Sequence, residues 1–119
     1  NENDNSNVIY TKLDGYNFLL MGDASIKTEN YLMNKYNISN ITFLKVGHHG
    51  SNTSSGQNFI NYLKPKYSII SVGKKNKFGH PKKEVLDILK MTKIYRTDLN
   101  GSIQILLNNY RYQIITYNP

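Results

Sequence analysis

From Ile41 onward the chain alternates short apolar runs with helix-patterned segments, and this alternation constrains the fold more than any other feature. Ile41–Val46 is followed by a helix pattern over Gln57–Leu63, closed by Pro65. Tyr67–Val72 comes next, then a second helix pattern that begins at Pro81 and runs to about Met91. Its Val85, Leu86, Ile88 and Leu89 form one apolar stripe. Ile94–Arg96 is the next short strand. Strand and helix in repetition require crossover connections, which join parallel strands. Ahead of this block, Val8–Leu13 and Tyr16–Met21 flank Asp14-Gly15, a residue pair suited to a type I′ hairpin turn. A helix is predicted from Ile26 to Tyr36, with Ser25 or Thr28 as its N-cap. Ser102–Leu107 and Tyr110–Tyr117 form a closing hairpin around Asn108-Asn109. The predicted order is β-β-α-β-α-β-α-β-β-β, an α/β fold with a mixed sheet and its helices on one face.

In α/β sheets, ligands bind beyond the C-terminal ends of the strands. Here the loops at that edge hold Asp23, the pair His48-His49, and His80, and these are all the histidines in the chain. Taken alone, Asp23 is more often the cap of the following helix than a ligand. The loop Gly47–Gly56 is more specific. Its glycines let backbone approach a ligand closely, and its imidazoles suit a metal or proton transfer near neutral pH. Its Ser and Thr residues and N–H groups suit phosphate oxygens. It is not a Walker A loop, and the bland alternative is a flexible surface segment. Lys74, Lys75 and Lys77 surround His80 with positive charge just ahead of a predicted helix start, a place that favours anions. The alternative there is a solvated basic loop. Arg96 and Asp98 are spaced to pair, with Asn100-Gly101 as a structural turn.

Composition narrows the chemistry. The chain has 119 residues, the size of one small domain, and no cysteine, so a metal must be held by His and carboxylate ligands. No apolar run approaches the ~20 residues that cross a bilayer, and no signal-peptide pattern is present. A soluble segment is expected. The polar start Asn1–Asn7 has no methionine and reads as a cut inside a longer protein. The net charge of +7 points to an acidic partner, nucleic acid or an anionic lipid or polymer surface, with a merely solvating Lys-rich surface as an equal alternative.

Five runs carry a resemblance: Leu20-Met21-Gly22-Asp23, Leu44-Lys45-Val46-Gly47-His48-His49-Gly50-Ser51, Ser71-Val72-Gly73, Asn76-Lys77-Phe78-Gly79-His80-Pro81, and Tyr95-Arg96-Thr97-Asp98 with Asn100-Gly101-Ser102. In this order the chain resembles the C-terminal half of the metallo-β-lactamase-fold hydrolase domain of the ComEC family of competence proteins, the bacterial DNA-uptake channels. The resemblance covers nearly the whole chain. It implies half of an αββα sandwich, with residues 1–119 a partial domain that lacks the N-terminal half and its His-x-His-x-Asp-His motif. Two divalent ions, zinc or manganese, would occupy the intact domain. By resemblance Asp23 bridges them, one of His48 and His49 is a further ligand, and the other faces the scissile group. His48 and His80 are the catalytic candidates, and Ser51 and Lys77 the phosphate-binding ones.

The implied function is metal-dependent hydrolysis of DNA phosphodiester bonds by a soluble domain of a bacterial inner-membrane protein. The implied partners are DNA, the missing half of the domain and a membrane channel region of the same protein. The piece alone is expected to be inactive, to bind metal weakly or not at all, and to expose an apolar sheet surface that a homodimer would bury. Two alternatives remain: another phosphodiesterase of the superfamily, such as a phosphorylcholine esterase, or a non-catalytic basic DNA-binding module.

Overall fold

A computed structural model of the chain describes residues 7–74 and 79–117, and only the backbone of His48. Its strands are β1 (Ile9–Leu13), β2 (Tyr16–Leu20), β3 (Phe43–Lys45), β4 (Tyr67–Ile70), β5 (Lys93–Arg96), β6 (Ser102–Asn108) and β7 (Arg111–Tyr117). Its helices are α1 (Ile26–Lys35), α2 (Gln57–Leu63), α3 (Lys83–Ile88) and α4 (Thr97–Asn100), with a 3-10 turn at Gly47–Gly50. The first five strands form one sheet in the order β1-β2-β3-β4-β5. β1 is antiparallel to β2, and β2 through β5 are parallel. The fold is thus α/β with a mixed sheet, as the strand and helix alternation requires.

The period of two along each strand sets the layers. Leu19, Met21, Leu44, Val46, Ile70 and Val72 point to one face and share a core with Phe59, Ile60 and Leu63 of α2, Val85 of α3 and the following Leu89. The other face carries a row in register, Phe18, Phe43 and Tyr67. The Phe18 and Phe43 rings stack at 4.8 Å, and those of Phe43 and Tyr67 at 5.2 Å. Tyr112 of β7 stands edge-on to Tyr16 at 4.9 Å, Phe43 at 5.2 Å and Tyr67 at 5.5 Å, a favoured arrangement for aromatic rings. The β6–β7 hairpin therefore covers this half of the face and buries Phe43. The next row, Leu20, Lys45, Ile69 and Tyr95, stays partly open.

Two local expectations change. The closing turn is Asn109-Tyr110, one residue later than predicted, because Asn108 pairs with Arg111. Tyr110 accepts a left-handed backbone there (φ 62), and two bonds to the first hairpin hold it. Its N–H donates to the Asp14 carboxylate at 2.8 Å, and its carbonyl accepts from the Tyr16 hydroxyl at 2.6 Å. The predicted Asn100-Gly101 turn is the end of a one-turn helix, α4, in which the Asn100 side chain accepts the Arg96 N–H at 2.8 Å.

Candidate functional site at the carboxyl edge of the sheet

Because β2, β3 and β4 run parallel and in register, their C-terminal ends lie side by side. Pairing continues past the strands: the Met21 N–H donates to the Lys45 carbonyl at 3.2 Å and the Val46 N–H to the Ile69 carbonyl at 2.9 Å. The chain leaves these strands through Gly22-Asp23, Gly47–Gly50 and Ser71–Gly73, so the three loops share one edge. Asp23 is exposed there. The N-cap position of α1 is held by Ser25, so Asp23 does not take the capping place that was its alternative.

Both glycines that flank the histidine pair are packing points. A Cβ at Gly47 would lie 3.2 Å from Met21 Cβ and 3.3 Å from the Ala24 carbonyl, which seats the loop against the Asp23 segment. A Cβ at Gly50 would lie 2.5 Å from Pro81 Cβ, and Gly50 has a φ of +82°. Its carbonyl accepts the Lys82 N–H at 2.9 Å. The glycines expected to admit a ligand thus admit the neighbouring loops, with the Asp23 segment on one side and His80-Pro81 on the other.

His49 is exposed with a left-handed backbone (φ 53). Its Nδ1 lies 2.6 Å from the Ser71 carbonyl. A carbonyl only accepts, so this contact requires a proton on Nδ1 and leaves Nε2 as the ring nitrogen that a ligand could meet. An outer hydrogen bond of this kind is what orients an imidazole that ligates a metal. His80 is half-buried, two residues ahead of Lys82, the N-cap of α3. That helix begins later than expected and spans 6 residues, because Pro81 is committed to Gly50 and does not start it. His80 is therefore set back from the helix start.

Ser51 is buried, and its hydroxyl lies 3.0 Å from the Thr53 hydroxyl while accepting the Thr53 N–H at 3.3 Å. Its side chain is turned into the loop. Lys77 lies outside the described residues. The edge therefore gathers Asp23, the His48-His49 turn and the His80-Pro81 segment, with Ser51 supporting the loop from within. A carboxylate and an imidazole are ligand types that suit a divalent cation. Among the described residues no group of three or more His, Asp or Glu side chains could hold a metal ion.

No family model matches the chain. Among curated proteins, it is 40% identical over 114 residues to ComE operon protein 3 of Bacillus subtilis, covering 94% of this chain and 14% of that protein. It is 37% identical over 106 residues to competence protein ComA of Neisseria gonorrhoeae, covering 87% of the chain and 15% of the relative. Recombination protein 2 of Haemophilus influenzae is 33% identical over 104 residues, covering 85% and 13%. This chain is a homologue of one segment of the competence proteins. It spans about a seventh of their length, and the aligned segment takes in nearly all of the edge and its supporting sheet.

Two residues that shape this edge escape a reading of the sequence. Thr97, the first residue of α4, accepts the Val72 N–H at 2.7 Å and donates to the Val72 carbonyl at 2.8 Å, pinning the exit of β4. An open groove of about 490 Å³, lined in part by Val72, Lys74, Thr97 and Tyr117, runs beside it. The second is Glu29, a buried carboxylate on α1. Its one sequence signal is position: it lies three and four residues ahead of Leu32 and Met33, which pack against the core.

Proposed function

We propose that this chain is part of the hydrolase domain of a ComEC-family DNA-uptake protein, and that the edge holding Asp23, His48, His49 and His80 hydrolyses phosphodiester bonds of DNA. The observation that carries the reading is the parallel register that ends β2, β3 and β4 together, with Gly47 and Gly50 seated against the segments of Asp23 and His80. Homology with competence proteins over 94% of the chain supports the biological setting. The net charge of +7 suits a polyanionic substrate. In this reading the rest of the ligand set, including the His-x-His-x-Asp-His motif, and a membrane channel region belong to a longer protein.

Asp23 and the Nε2 of His49 would hold divalent zinc or manganese, which when bound polarises the phosphate and acidifies a water. Asp23 brings negative charge to the edge. The Ser71 carbonyl fixes the tautomer and ring orientation of His49. His48, the other histidine of the pair, would act at the scissile group, and His80 would deliver a proton to the leaving oxygen. Lys77 neutralises a phosphate oxygen.

The test is cleavage of linear DNA by the full-length protein with manganese or zinc. Asp23→Ala is expected to lose cleavage by roughly 100-fold or more while still binding DNA. Undiminished cleavage by that variant would reject the role given to Asp23. The second reading, a basic DNA-binding module without catalysis, rests on the same charge of +7. It expects salt-sensitive DNA binding by the wild-type protein and no metal-dependent cleavage under any condition.

A further inference from the structure

Glu29 takes no part in the chemistry above, yet it is 1% exposed. Its two carboxylate oxygens accept from consecutive backbone amides of the histidine loop. Oε1 takes the Gly56 N–H at 2.9 Å, and Oε2 takes the N–H of Ser55. Ser55 adopts a left-handed backbone (φ 56), which turns these neighbouring N–H groups toward one anion. The same helix start grips the loop again: the Ile26 N–H donates to the Thr53 carbonyl at 2.9 Å. From Ser55 the connection to the histidines is short. The Ser54 hydroxyl donates to the Gly47 carbonyl at 3.0 Å, one residue before His48. In the other direction, α1 continues back through Ser25 and Ala24 to Asp23, and the Ala24 carbonyl meets Gly47.

We infer that Glu29 is the positioning residue of this edge: its carboxylate clamps the far end of the histidine loop to α1 and so fixes the His48-His49 turn relative to Asp23. What the edge does chemically rests on the hydrolase reading, but the clamp is measurable without it. If Glu29 merely filled space, glutamine would replace it without consequence, since the shape is the same and a neutral group is cheaper to bury. A clamp responds differently. The glutamine amide has one acceptor oxygen, and its NH2 would face one of two N–H donors.

The experiment is hydrogen exchange on the wild-type protein and E29Q at pH 8, read by peptide, together with thermal unfolding. E29Q is expected to melt at or above the wild-type temperature while the peptide spanning 47–56 exchanges about tenfold faster or more. A folded E29Q with unchanged protection in that peptide would overturn the inference. Should E29Q not fold, the wild-type protein decides by residue-resolved exchange. The Ser55 and Gly56 amides lie ahead of the helical bonds of α2, so their slow exchange supports the clamp and rapid exchange at both removes it. In the cleavage assay E29Q should lower kcat more than it changes KM. If the wild-type protein cleaves no DNA, the hydrolase reading fails, and the exchange result still judges the clamp.

Discussion

Asp23 and Glu29 lie six residues apart in opposite environments, one exposed and one buried. Burial pushes the Glu29 carboxyl from its usual 4.5 up to about 7, against the opposing pull of the Gly56 and Ser55 amides. The folded chain therefore holds this proton more tightly than the unfolded chain does. Its contribution to stability is complete below about pH 4.5 and is lost as pH rises to about 7, by roughly 3 kcal/mol at most. Chemical denaturation across this window should show the decline in the wild-type protein and a flatter profile in E29Q; parallel profiles would contradict it. Asp98 behaves in the opposite sense. The Arg96 guanidinium, bonded to it at 2.7 and 3.0 Å, holds its carboxyl below the usual range, so its contribution appears above that range and fades in acid. Spacing alone shows that Arg96 and Asp98 can pair, since they are two residues apart. The partners of Glu29 lie 26 and 27 residues away and are backbone amides, which leave no mark in a sequence.

Among the elements, the β6–β7 hairpin packs on the sheet through Tyr112, with its turn held by Asp14 and Tyr16. Tyr112 caps the Phe18, Phe43, Tyr67 row, and its hydroxyl lies 2.6 Å from that of Tyr67. This shared bond helps push Tyr67 up to about 12, and with Lys66 nearby it lowers Tyr112. Tyr112→Ala should cost about 3–5 kcal/mol in urea unfolding, whereas Tyr112→Phe keeps the ring and should cost about 1 kcal/mol. Equal, negligible losses from both would mean that the hairpin is not held by this contact. Thr97→Ala should cost about 1–3 kcal/mol, because it leaves the buried end of β4 without both bonds at Val72, and Thr97→Ser should restore most of that. Local signals made much of this architecture legible. Asp14-Gly15 does form a tight turn with both φ values positive, 51 and 86, and α2 spans the predicted Gln57–Leu63. What failed depended on distant contacts: Pro81 is taken by Gly50, and the closing turn moves to Tyr110 because Asp14 and Tyr16 hold it there.

For the whole molecule, the shared edge of the loops that carry Asp23 and the histidine pair follows from topology and was readable in the strand and helix alternation, whereas the His80-Pro81 segment meets it through the contact of Pro81 with Gly50. The inward turn of Ser51 was not, since it depends on how the loop closes on itself through Thr53 and Ser54. The roles proposed for Asp23 and His49 as one ligand set are tested most directly by a double-mutant cycle in the full-length protein, with Asp23→Ala, His49→Ala and the pair compared for metal-dependent cleavage of DNA. Residues that act as a unit lose their effect together. Each single variant should therefore fall by roughly 100-fold or more, with the double variant little worse than either. Losses that multiply independently, or cleavage that survives in Asp23→Ala, would contradict a shared site at this edge.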